Sequence, residues 1–81
     1  MKSGTSKHFD RSFEKFPSRI KKIFDKQIRF LLVDIRHPSL RAKKYDETEE
    51  IWQARVTNNV RFYFKIEGDT YQLIDIERHS D

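Results

Sequence analysis

The hydrophobic period of the chain changes once, at Pro38, and that change limits the fold more than any other feature. Before it, apolar residues recur every three to four positions; after it, they alternate. Ser6 or Thr5 is placed to cap a first helix, in which Phe9, Phe13 and Phe16 form one stripe at i, i+4 and i+7. Pro17 ends that helix, and Ser18 is placed to cap the next. From Arg19 to about Arg36, a helical period is carried by Ile20, Ile23, Phe24, Ile28, Leu31, Leu32 and Ile35. Lys21, Lys22, Lys26, Arg29 and Arg36 fall on the opposite side. His37-Pro38 stops this helix, because the residue before a proline is driven out of the α region. The first half therefore predicts an αα-hairpin over about residues 6–37 with one apolar face.

Beyond Pro38 the period of two predicts an antiparallel meander over about residues 50–79. Ile51 to Thr57 reads as a strand, Asn58-Asn59 as a turn, and Val60 to Ile66 as a second strand. Glu67-Gly68-Asp69 turns the chain into a third strand from Thr70 to Glu77. Tyr45 and its neighbours give a faint signal for one short strand more. Alternation puts Trp52, Ala54, Val56, Val60, Phe62, Phe64, Ile66, Gln72, Ile74 and Ile76 on a core face for the helices to cover. The open face then carries Gln53, Arg55, Arg61, Tyr63, Lys65, Tyr71, Leu73, Asp75, Glu77 and His79. The fold class expected is α+β, a helical hairpin packed on one side of a small antiparallel sheet.

Composition closes off most alternatives. At 81 residues the chain is one domain. Charged residues (37%) slightly outnumber hydrophobic ones (36%), yet seven Phe, three Tyr and one Trp supply a bulky core that disordered chains lack. The absence of cysteine excludes disulfides, thiol nucleophiles and Cys-ligated zinc, and suits a reducing cytoplasm. No apolar run has the length of a membrane span, and the polar start MKSGTSKHFD does not read as a signal peptide. Charge is divided unevenly: residues 1–44 hold thirteen Lys/Arg against four Asp/Glu, and residues 45–81 hold four against nine. Such a split suits a polyanion or an acidic partner, and equally a solvated helix surface.

There is no Gly-rich phosphate loop, no HExxH and no nucleophile elbow. His8, His37 and His79 lie in different elements without metal-ligand spacing, so neither a metal nor a cofactor is expected. The remaining chemistry is cationic. Arginines stabilise a pentacovalent phosphate and a histidine moves a proton near neutral pH. A metal-free ribonuclease needs little else, since the 2′-hydroxyl of RNA is its own nucleophile.

The segment FEKFPSRIKKIFDKQIRFLLVDIRHPSLRAKKYDE, followed by IWQARVTNNVRFYFKIEGDTYQLIDIERHSD, resembles the RelE/ParE toxin superfamily of bacterial toxin–antitoxin systems. The likeness spans about residues 5–81, and its most specific pieces are the ARV…VRFYF hairpin and the aliphatic strand that runs into His-Ser-Asp. It implies a RelE-like domain with a degenerate first strand in MKSGT. For the RelE-like branch it implies an mRNA interferase, a metal-independent endoribonuclease cutting mRNA at the ribosomal A site and inhibiting translation. For the ParE-like branch it implies a non-nuclease toxin aimed at DNA gyrase. A degenerate antitoxin-binding module is a third reading. All three imply an acidic antitoxin protein as partner; the first adds mRNA and the ribosome.

Carried over one residue at a time, Arg61 matches the arginine that holds the scissile phosphate. Arg55 matches a basic position on the preceding strand, and Glu77 to Asp81 matches the stretch that carries a general-acid histidine, here His79. Lys43 and Lys44 match the basic pair before the meander; Lys65 and Tyr63 share the open face and join them as RNA-binding candidates. Gln53 stands where the best-known nucleases have lysine, and no aromatic follows His79. Without the resemblance, Arg55 and Arg61 read as solvated cross-strand neighbours of Asp75 and Glu77, and His79 as a frayed tail. Tyr63 then reads as a half-exposed strand residue, and Lys43 and Lys44 as loop solubility.

Overall fold

In a computed structural model, which describes residues 1–79, the chain runs β1 (Lys2–Thr5), α1 (Lys7–Glu14), α2 (Ser18–Val33), β2 (Lys43–Asp46), β3 (Ile51–Arg55), β4 (Val60–Glu67) and β5 (Thr70–Arg78). The five strands form one sheet in the order β1-β5-β4-β3-β2, and the two helices supply the apolar layer packed on it. The predicted meander is β3-β4-β5, and the faint signal at Tyr45 is the edge strand β2.

The first strand is better formed than MKSGT suggests. β1 pairs with β5 in parallel, from Lys2 opposite Thr70 to Thr5 opposite Leu73, so the sheet is not wholly antiparallel. The Lys2 amide donates to the Asp69 carbonyl at 2.7 Å and the Ser6 amide to the Leu73 carbonyl at 3.1 Å. A Cβ at Gly4 would come 3.0 Å from Gln72 Oε1, the end of a flexible side chain. The edge that the sequence leaves open is therefore covered along Thr70–Leu73.

Ser6 caps α1 as expected, its Oγ accepting from the Phe9 amide at 3.0 Å. Ser18 does not cap α2. The cap position is Pro17, in extended conformation, whose carbonyl accepts from the Ile20 and Lys21 amides. α2 also ends earlier than the proline rule predicts, at Val33 instead of about Arg36. Asp34 turns extended there, and its Oδ1 takes the Arg36 amide at 2.9 Å, which gives the backbone an alternative to another helical turn.

The largest correction concerns β5. Register shifts between Tyr63 and Phe64: Tyr63 lies opposite Asp75, but Phe64 lies opposite Leu73. Ile74 is an extra residue, a β-bulge, and parity reverses on its N-terminal side. Tyr71 and Leu73, expected on the open face, are buried in the core, whereas Ile74 and Gln72, expected in the core, are only half-buried. Two side chains hold the bulge: Ser6 Oγ donates to the Ile74 carbonyl at 3.4 Å, and Asp75 Oδ1 accepts from the Ile76 amide at 2.8 Å. Ile66, also expected inside, is exposed near the β4–β5 turn, where Gly68 takes a φ of 61°.

Phe62 and Phe64 are fully buried among Phe9, Phe24, Leu31, Leu40 and Val60. Phe24 meets Phe62 edge-on at 5.3 Å, and Phe9 and Phe13 stack at 5.7 Å. Arg61 and its face thus point away from the helices, as the alternation on β4 requires. Phe62→Ala is expected to cost about 3–5 kcal/mol, a large share of a small domain's stability. Urea unfolding monitored by Trp52 fluorescence measures it, and a loss below about 1 kcal/mol would refute the packing described.

Candidate functional site

The β3–β4 hairpin sets Arg55 directly opposite Arg61, and on the other side of Arg61 stands Glu77. Like charges placed opposite one another on a sheet repel. Arg55 Nη1 reaches Asn58 Oδ1 in the turn at 3.3 Å. Arg61 Nε is buried and, among the described residues, has no hydrogen-bond partner. A desolvated donor of that kind is costly unless something supplies an acceptor. The turn also fixes the end of β5, because the His79 amide donates to the Asn59 carbonyl at 2.6 Å. Ser80 and Asp81, part of the stretch matched by sequence, lie outside the described residues.

These side chains line one cleft of about 490 Å³. Arg55, Arg61 and His79 form one wall, and Arg41, Lys43, Tyr45 and Gln53 complete it. Gln53 is not simply a missing cation. It is buried, and its Nε2 donates to the Tyr63 hydroxyl at 3.1 Å; that hydroxyl lies 2.9 Å from His79 Nε2. Gln53, Tyr63 and His79 are therefore one hydrogen-bonded row across β3, β4 and β5. Burial pushes the Tyr63 hydroxyl above its ordinary value; donation from Gln53 opposes this and the Glu77 carboxylate adds to it. Tyr63 thus stays protonated at neutral pH. With Nε2 facing Tyr63, the other ring nitrogen of His79 is the one available to a substrate.

The cleft brings together Arg55, Arg61, His79 and Lys43, with Tyr63 behind them. Lys44 and Lys65 are not part of it. Lys44 pairs with Trp52, lies over its ring at 5.5 Å and reaches Glu47 at 3.9 Å; Lys65 sits beyond Tyr63 on β4 and reaches Glu49 at 3.9 Å. Tyr63 is buried, so its ring is not open to a stacking base.

Three residues went unassigned in the sequence. Arg41 holds a φ of 46°, a left-handed conformation uncommon for any residue but glycine, and lines the cleft. Tyr45 is exposed at the cleft's end. Gln27 is buried on α2 and acts at a distance: its Nε2 donates to the Arg55 carbonyl at 2.9 Å and the Ser39 carbonyl at 3.1 Å, and its Oε1 accepts from Ser39 Oγ at 3.1 Å. It ties helix, loop and Arg55 together. The available signal was a polar residue on the Ile20–Phe24–Leu31 stripe. Among the described residues, no cluster of three or more His, Asp or Glu side chains is arranged to hold a metal ion, and no helix is long and apolar enough to cross a membrane.

No family model matches the sequence, and no curated protein matches it either. Solved structures do. A two-helix, five-stranded α+β domain of this topology is found in a YoeB/ParE toxin from Agrobacterium tumefaciens, with a TM-score of 0.82 at 16% identity over 99% of this chain and 100% of that one. The RelB–RelE antitoxin–toxin complex from Methanococcus jannaschii gives 0.74 at 19% identity, covering 91% and 87%. The YoeB–YefM complex from Staphylococcus aureus gives 0.80 at 8% identity, covering 99% and 98%. The chain has the fold of the RelE/ParE toxins.

Tyr63 offers a test of the hydrogen-bonded row. The folded state holds its proton more tightly than the unfolded chain does. This contribution to stability is intact below the ordinary tyrosine value of about 10 and is lost as pH rises through the higher folded value. Tyr63→Phe should therefore flatten part of the alkaline fall in melting temperature. Identical alkaline profiles for the two proteins would contradict a buried, proton-holding Tyr63.

Proposed function

We propose that the chain is the toxin of a type II toxin–antitoxin system and acts as a metal-independent endoribonuclease on mRNA at the ribosomal A site. The observation that carries this reading is the single cleft lined by Arg61, the opposing Arg55 and His79. A phosphodiester bound there accepts hydrogen bonds from the guanidinium groups that line it. Arg61 and Arg55 neutralise the phosphate as the 2′-hydroxyl, giving up its proton to solvent water, attacks phosphorus and negative charge builds on the phosphate oxygens. The bond to the 5′-oxygen breaks, His79 gives that oxygen a proton, and the 3′ end is left as a 2′,3′-cyclic phosphate. A protonated His79 donates Nε2–H to the Tyr63 hydroxyl, which also accepts from Gln53; the row orients the acid. Lys43 and Arg41 hold the RNA backbone, so binding weakens with salt.

The partner proposed is an acidic antitoxin. Solved structures of this fold include toxins in complex with RelB and with YefM. The division of charge along this chain, and a β5 edge that β1 pairs only along Thr70–Leu73, suit an acidic segment lying on the basic surface or extending the sheet. Co-expression with the small acidic protein of an adjacent reading frame should yield a salt-sensitive complex. Purification as separate proteins at low as well as moderate salt would count against it.

The chemistry is tested in cells by mapping mRNA 5′ ends after induction. Arg61→Ala should abolish cleavage and growth inhibition with the fold intact, since its side chain leaves the core untouched. His79→Gln should slow cleavage by roughly two to four orders of magnitude with ribosome binding near normal, and EDTA should change neither protein. Full toxicity in a folded double variant would end the nuclease reading. If substitutions on the helical hairpin abolished toxicity and DNA damage appeared with mRNA intact, the ParE-like reading would replace it.

A further inference from the structure

The cationic cleft ends at Tyr45, and a second hollow begins on the other side of the same ring. It measures about 180 Å³ and is walled by Tyr45, Tyr63, Ile51 and Ile74, with Asp75 and Glu77 completing it. Tyr45 is 59% exposed, yet its ring is fixed edge-on against Tyr63 at 5.0 Å between centroids. An exposed aromatic braced by a buried one is a rigid platform. The hollow is smaller than the ~300–1,000 Å³ typical of pockets for drug-sized ligands, and no cation lines it. Two aromatic rings, two aliphatic side chains and two carboxylates suit a flat ring system with an apolar face and N–H donors along one edge. The cleft on the other side of Tyr45 is the reverse, with arginines and a lysine and no carboxylate. One ring thus separates a half that attracts phosphate from a half that suits a base.

We propose that this hollow is a nucleobase subsite that prefers guanine, an assignment that rests on the RNA-cleaving reading above. An ionised carboxylate only accepts hydrogen bonds. Guanine sets two donors, N1–H and the 2-amino group, side by side on its Watson–Crick edge, the edge by which unpaired RNA bases are read. Adenine and cytosine each place one amino donor beside an acceptor nitrogen that a carboxylate repels, and uracil sets its single N–H between two carbonyls. Asp75 Oδ1 is already engaged by the Ile76 amide at 2.8 Å and by His8 Nε2 at 3.1 Å. Glu77 is the more exposed of the two carboxylates and is the reader, and Tyr45 is the stacking surface. Ile51 and Ile74 shield the base from water. Ile74 reaches this face through the bulge in β5.

Calorimetry on the purified chain with guanosine 3′-monophosphate, uridine 3′-monophosphate and inorganic phosphate tests the assignment. The guanosine nucleotide should bind about 10-fold more tightly than the uridine nucleotide, the order of magnitude of base stacking and edge recognition. Glu77→Gln should remove that difference, and Tyr45→Ala should bring both nucleotides to the level of phosphate, with circular dichroism confirming the fold. Tyr45→Phe should restore nucleotide binding. Equal affinities for the two nucleotides, with phosphate still bound, overturn the subsite and leave the nuclease reading standing. A guanosine preference that survives Glu77→Gln overturns it as well. Failure of a folded wild-type chain to bind any of the three overturns the subsite together with the reading on which it rests.

Discussion

The single extra residue in β5 governs both sides of the sheet. Without Ile74 as a bulge, Tyr71 and Leu73 would face solvent and Gln72 would face the helices. With it, Phe64 finds Leu73 opposite and Tyr71 edge-on at 5.5 Å, and the strand still delivers Asp75, Glu77 and His79 to the open face. A bulge costs a break in the ladder, and here two of the backbone groups beside it have side-chain partners. Ser6 Oγ takes the Ile74 carbonyl and Asp75 takes the Ile76 amide. Because the same Ser6 hydroxyl caps α1, the helix start and the strand irregularity are held by one atom.

On the open face Arg55 and Arg61 stand opposite each other across β3 and β4, and Arg61 buries a donor without an acceptor among the described residues. A fold tolerates this where the surrounding structure is strong enough to impose it. Phe62 packs beneath Arg61 in the core, Gln27 grips the Arg55 carbonyl from α2, and the Leu40 carbonyl accepts the Arg55 amide at 2.7 Å. The backbone positions of both arginines are set by apolar packing and main-chain hydrogen bonds, so their charged ends need no mutual attraction to stay in place.

Much of this was legible in the chain. The 3.6-residue stripe through Ile20, Phe24 and Leu31 and the alternation through Phe62 and Phe64 identified both layers, because burial enforces period wherever one face must be dry. The bulge was not legible. TYQLIDIE alternates acceptably in either parity, and nothing local marks an inserted residue, since Leu73, Ile74 and Ile76 are all apolar. β1 read only as a degenerate strand because four residues with one glycine carry no period; pairing with β5 forms it. Arg55 and Arg61 fall on the expected face because the β3–β4 register between them is unbroken, and His79 because it lies C-terminal to the bulge in β5. Lys44 was carried over as half of a basic pair and Lys65 by its place on the open face, but Lys44 lies over the Trp52 ring and Lys65 lies farther along β4.

The parallel pairing of β1 with β5 has a consequence for how the molecule assembles. Lys2 cannot meet Thr70 until nearly the whole chain between them has been laid down. Contacts so far apart in sequence form late and slowly, because loop closure must be paid in entropy before the contact returns anything. Helices α1 and α2 and the β3–β4 hairpin are local and have no need to wait. When β1 does dock, the Ser6 amide meets Leu73 and the Ser6 hydroxyl reaches Ile74 in the same movement. The pairing that spans the greatest length of chain is therefore also the one that brings Ser6 to the irregularity in β5.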